Sequence, residues 1–134
     1  DWGVWLEFRR VLFRSTKDSD VGTYVITPTD CTFTSGVKNN YNIEYVNGTL
    51  SIYGSSYNKT SKTVKIYSKY DTDIDCYIVS YAENGTLDGI KKEHCSLKAD
   101  KISTIDISSL KISENDSIKI FLWDNNLTPV EITN

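Results

Sequence analysis

Methionine is absent from this chain, histidine occurs once and proline twice. Arginine is confined to Arg9, Arg10 and Arg14, and every other basic residue is a lysine. No apolar run approaches the ~18 residues a membrane-spanning helix needs, so membrane insertion is not expected. The three cysteines, Cys31, Cys76 and Cys95, show no CxxC spacing and share only His94, so neither a zinc centre nor a dithiol redox motif is expected. Ala and Leu are sparse, which leaves little for helices. What is present instead is Thr, Ser, Asn, Tyr and Ile, the chemistry of strands and turns.

The odd confinement of arginine sets the first 15 residues apart. Leu6–Ser15, LEFRRVLFRS, resembles the translation of a sequencing-library adapter, and all three arginines fall inside it. Its apolar residues keep no clean helical period, and no small-residue cleavage site follows, so a surface helix and a signal remnant both fit poorly. Residues 1–15 are therefore read as a non-native leader, set aside from fold reasoning. On that reading the natural chain extends further upstream and the first module has lost its opening strands.

Without the leader, 12 lysines face 16 acidic residues, a net charge of −4. Scattered lysines on an acidic chain give no clustered basic face for nucleic acid and no polybasic membrane signal.

From Val21 to Tyr53 the pattern suggests three short strands, Thr23–Thr27, Tyr41–Val46 and Thr49–Tyr53. Asn47-Gly48 between the last two predicts a tight hairpin, because both residues tolerate positive φ. Val21-Gly22-Thr23-Tyr24, Ile26-Thr27-Pro28 and Tyr41-Asn42-Ile43-Glu44-Tyr45-Val46-Asn47-Gly48-Thr49-Leu50-Ser51-Ile52 resemble the closing half of the MBG family of repeats. The resemblance implies an architectural β-repeat of bacterial surface proteins and adhesins, covering residues 16–53. Cys31 sits where that pattern usually has an apolar residue, which implies a small buried side chain.

Residues 54–62, rich in Gly, Ser and Asn, read as a linker. Beyond them short strands recur. Val64 and Ile66 alternate with Thr63, Lys65 and Tyr67. Ile74–Tyr81 leads through Glu83-Asn84-Gly85, a hairpin turn, into Leu87–Cys95. Ile105 and Ile107 flank Asp106. Ile118, Ile120 and Leu122 share one face and Lys119, Phe121 and Trp123 the other, and Val130 with Ile132 suggests a closing edge strand. This spacing predicts a small antiparallel sandwich over residues 63–134. Ile78–Leu87 and Lys119-Ile120-Phe121-Leu122-Trp123-Asp124 resemble an Ig-like or fibronectin-like module of secreted and surface proteins of Clostridia-like bacteria. Ala82 departs from that pattern, which has an acidic residue there. The expected fold class is all-β: a partial MBG-like repeat followed by a small antiparallel Ig-like β-sandwich.

Catalytic constellations are hard to find. Asp71, Asp73 and Asp75 have the spacing that opens a calcium loop, but the mid-loop Gly and closing Glu positions hold Cys76 and Ala82, so an EF-hand is excluded, and the choice left is between a loose oxygen-ligated calcium site at a sandwich edge and a solvated strand entry. His94 and Cys95, adjacent on a strand, point to opposite faces and cannot act together as base and nucleophile. No pair of carboxylates stands out as a glycosidase dyad. Cys76 and Cys95 fall on neighbouring strands, so a cross-strand disulfide stays open, dependent on a register that a one-residue slip would reverse. The Asn-x-Ser/Thr motifs at Asn47, Asn58, Asn84, Asn115 and Asn126 read as turn chemistry. Trp123, with Tyr67, Tyr77 and Tyr81, forms the one candidate ligand site, an aromatic platform for sugar stacking. The competing reading packs Trp123 across the sandwich.

The sequence thus leads to a non-catalytic spacer at the carboxy-terminal end of a larger secreted or surface protein, with no catalytic, cofactor or metal residues. Its expected partners are upstream domains of the same chain and, in the alternative of an accessory module serving an extracellular enzyme, cell-wall or host polysaccharide.

Overall fold

The computed structural model describes residues 6–13, 19–33, 36 and 38–134, with the side chains of 6–13, 30, 31 and 38 left out. It is all-β with antiparallel sheets, and it divides into two compact units. The first comprises residues 1–19 and 23–51, the second residues 20–22 and 52–134.

The first unit holds a three-stranded sheet in the order β1-β2-β3, formed by β1 (Leu6–Phe13), β2 (Gly22–Phe33) and β3 (Gly48–Ile52). The antiparallel β1–β2 register runs from Leu6 opposite Phe33 to Phe13 opposite Ile26. The adapter-like segment is thus a strand in the fold. Backbone hydrogen bonding is common to all non-proline residues, so this pairing carries no information on where the segment originated.

The expected hairpin at Asn47-Gly48 is not there. Residues 42–47 belong to no strand, and β3 instead lies beside β2. A two-residue type I′ turn needs positive φ at both central positions, and neither Asn47 nor Gly48 has it. Gly48 instead starts β3, where an added Cβ would lie 3.7 Å from the Ile26 Cβ. The supposed Tyr41–Val46 strand is correspondingly exposed, Val46 to 74%.

The second unit is a sandwich of two three-stranded sheets. One has the order β4-β5-β8, from β4 (Gly54–Asn58), β5 (Thr63–Tyr67) and β8 (Ile102–Asp106). The other has the order β7-β6-β9, from β6 (Thr72–Tyr81), β7 (Leu87–Leu97) and β9 (Ser117–Trp123). Residues 54–62 are thus not a linker, because β4 pairs along its whole length with β5, from Gly54 opposite Tyr67 to Asn58 opposite Thr63. Serine and glycine composition alone misled here. An edge strand needs only backbone pairing on one side and tolerates small polar residues on its outer face.

The core follows the two-residue period of the strands. Val64 and Ile66 from one sheet meet Ile74, Cys76, Ile78, Cys95 and Leu97 from the other, and Ile105, Ile107 and Ile132 close the cluster. Burying each fully enclosed Ile contributes ~1.5–3 kcal/mol. The turn at Glu83–Gly85 forms as its sequence indicates, with Ala82 N–H donating to the Thr86 carbonyl at 2.8 Å and Gly85 at φ 84°.

The chain end departs from expectation. Val130–Ile132 is not an edge strand, although Trp123 and Pro129 form an isolated bridge and Val130 N–H donates to Leu122 O. Pro129 has no N–H with which to extend a ladder. The Asp124 carboxylate instead gathers the amides of Asn126 and Thr128 into a turn with Leu127 at φ 59°. Ile132, 3% exposed, is a core plug held by Lys69 N–H donating to its carbonyl.

Two buried hydroxyls are fully accommodated. Ser80 donates to Lys111 O at 2.8 Å, and Ser68 donates to Tyr70 O at 2.7 Å. Gly89, facing Ser80 across the hairpin, admits the 110–111 segment so closely that a Cβ would lie 2.9 Å from Leu110 Cδ1 and 3.1 Å from Lys111 O.

Candidate functional site

The two sheets of the second unit have opposite fates on their outer faces. On β4-β5-β8, inward Val64 and Ile66 force Lys65 and Tyr67 outward, with Ser56 and Asn58 of β4 on the same side. Residues 20–22 lie across this face. Val21 N–H donates to Ser56 Oγ at 3.0 Å, and the Asp20 carboxylate accepts from Asn58 Nδ2 and pairs with Lys65 Nζ at 3.6 Å. Tyr53 stacks on Tyr67 with ring centroids 4.9 Å apart and planes within 9°, and its hydroxyl donates to Asp100 at 2.7 Å. Tyr67 is only 4% exposed. It cannot belong to a ligand platform.

On β7-β6-β9, inward Ile74, Cys76 and Ile78 turn Asp75, Tyr77 and Val79 outward. The registers on both sides of β6 then build two consecutive rungs: His94, Asp75 and Trp123 on one, Lys92, Tyr77 and Phe121 on the next. Trp123 is half-buried, with its ring centroid 5.0 Å from both Tyr77 and Phe121. The rings are tilted by 48° and 34°, so they do not make a coplanar platform. Tyr81 lies two rungs from Tyr77, opposite Ser117, with Lys119 Nζ 5.4 Å from its ring centroid. Of the four aromatic candidates, the structure brings together Trp123 and Tyr77 alone. Phe121, which shares the outward alternation of β9 with Trp123, completes the trio.

Asp75 is the electrostatic centre of these rungs. Its side chain is 13% exposed, and it accepts from His94 Nδ1 at 2.9 Å and pairs with Lys92 Nζ at 3.5 Å. The hydrogen bond from His94 is the main reason its carboxyl is held below the usual range. An ionised carboxylate can only accept, so His94 Nδ1 carries the proton and Nε2 remains available on an imidazole 65% exposed. Lys92 lies over the Tyr77 ring at 5.7 Å. Beside these groups is a depression of about 300 Å³ lined by Asp73, Ile74, Asp75, His94, Asp124 and Asn125. Sequence reading missed the contribution of Asp75, Lys92 and His94, because it depends on which residues of three strands share a rung.

The remaining candidates are placed as follows. Asp71 accepts from Ala99 N–H at 2.8 Å, while Asp75 is engaged with His94 and Lys92. Among the described residues, no three carboxylate, His or Cys side chains gather as a metal site would require. Cys76 faces Glu93 and Cys95 faces Ile74 in the β6–β7 register, so the two thiols lie on a diagonal of the inner face, and both are free. Burial pushes Cys76 up to about 12 and raises Cys95 as well, which makes both poor nucleophiles. His94 and Cys95 do point to opposite faces. The Cys31 side chain lies outside the described residues.

Residues 11–51 match the MBG domain family, YGX type. The MBG match covers under a third of the chain, begins inside the adapter-like window and ends within β3. No curated protein and no solved structure matches the chain. Among the described residues, no helix is long and apolar enough to cross a membrane.

Proposed function

We propose that this chain is a non-catalytic spacer of an extracellular bacterial surface protein. The observation that carries this reading is the MBG match at residues 11–51 joined to a second unit with its own closed aliphatic core. Independently cored β-modules placed in series set a distance, and they do so without an enclosed cavity or reactive group. The order β4-β5-β8 facing β7-β6-β9 supports an Ig-like assignment for the second unit, with the segment around Pro129 standing beside β9 as a reduced last strand. The partner implied is a functional domain on the same protein.

The test is replacement. In a surface-displayed fusion, removing residues 20–134 should reduce antibody access to an epitope carried beyond them, and an unrelated β-sandwich of similar length should restore it. Failure of the unrelated module to restore access would sink the spacer reading.

A further inference from the structure

The outer face of β7-β6-β9 carries more chemistry than a spacer needs. We propose that Trp123 and its neighbouring polar groups form a binding site for a single sugar ring of a neutral polysaccharide, a role beyond spacing. A pyranose offers an apolar C–H face for an aromatic ring and a rim of hydroxyls that need donors and acceptors. Trp123 supplies the ring, braced by Tyr77 and Phe121 at 5.0 Å, and it stays partly exposed. Because the three rings are tilted relative to one another, a flat chain cannot lie across all of them. One ring is stacked at a time.

The hydroxyl partners lie on the same rung and just past the strand end. Asp75 stands directly between Trp123 and His94 in the register, and it holds the exposed imidazole through Nδ1. Asp124 and Asn125 follow Trp123 in sequence and line the adjoining depression of about 300 Å³ with Asp75 and His94, within the usual size range of small-ligand pockets. Charge selects the class of sugar. Lys92 and Asp75 offset each other at 3.5 Å, while Asp73 and Asp124 leave the depression acidic, which disfavours uronic acids and phosphorylated polymers.

Affinity electrophoresis of the full chain would test this, with hydroxyethyl cellulose, laminarin and soluble starch as neutral probes and polygalacturonate as the anionic one. The expected result is retarded migration in at least one neutral gel. Trp123→Ala should weaken the apparent Kd by roughly tenfold or more, as loss of a central aromatic anchor does. His94→Ala, at an exposed side chain away from the core, should weaken binding several-fold while lowering Tm by no more than the loss of its one surface hydrogen bond to Asp75, an effect that Asp75→Asn reproduces, which separates binding from folding. Tyr70→Ala, at an exposed tyrosine outside the two rungs, should leave migration unchanged. Unretarded migration in all three neutral gels, retention in polygalacturonate alone, or retardation indifferent to both Trp123→Ala and His94→Ala would each overturn the proposal.

Discussion

Tyr67 and Tyr77 make an instructive pair. Each sits on the middle strand of a three-stranded sheet, each points away from the shared core, and each was an equal candidate for ligand stacking. Yet Tyr67 is sealed to 4% exposure under Tyr53, whereas Tyr77 stays half-exposed beside Trp123. The difference lies outside their strands. Residues 20–22 and Tyr53 are folded onto one sheet, whereas on the other Tyr77 and Trp123 each keep part of the ring exposed. An outward aromatic is therefore structural or available according to what a distant part of the chain does.

The contrast should appear first in stability. Tyr67→Ala, which empties a buried ring site, should cost ~3–5 kcal/mol, and Trp123→Ala only about 1–2 kcal/mol, both read from urea midpoints. Equal losses would mean that the two faces are covered alike. Next in size is Gly89→Ala, where the new methyl would press on Leu110 and on the Lys111 carbonyl. Overpacking of ~1–3 kcal/mol is expected, with no change if the 110–111 segment moves aside.

Loosening the strap comes third. Asp20→Ala removes the acceptor for Asn58 and the partner of Lys65, and about 1 kcal/mol should be lost from the second unit. Enhanced exposure of Tyr67 to solvent perturbation should accompany it; an unchanged Tyr67 signal would show that Tyr53 alone covers the face.

The smallest effect concerns pH. Because the folded pKa of Asp75 is depressed, its stabilising contribution is complete above the unfolded carboxylate pKa of about 4 and is lost as pH falls through the lower folded value. Asp75→Asn should therefore flatten part of the acid limb of the stability curve. An acid limb identical to that of the parent would remove Asp75 from this account.

Much of the second unit was legible beforehand. The alternation in Ile118–Trp123 separated Ile118, Ile120 and Leu122, which pack on the core, from Lys119, Phe121 and Trp123, and the Glu83–Gly85 turn formed where its residues favour it. Residues 54–58 were illegible because an edge strand is held by its backbone, which composition does not report. Asn47-Gly48 failed for the opposite reason, since a pair able to turn is not obliged to when β2 offers the following strand a partner.

By itself, the sequence determined the all-β class, the two faces of β5 and of β9, the separation of His94 from Cys95, and the resemblance of the first unit to MBG repeats. These follow from a strict two-residue period and local turn chemistry. Only the tertiary structure decided that Cys76 and Cys95 lie on a diagonal, that Asp75 stands between His94 and Trp123, and that Tyr67 is closed over while Tyr77 is not. Register and coverage are relations between residues far apart in the chain, settled by which packing buries the most apolar surface with its polar groups satisfied.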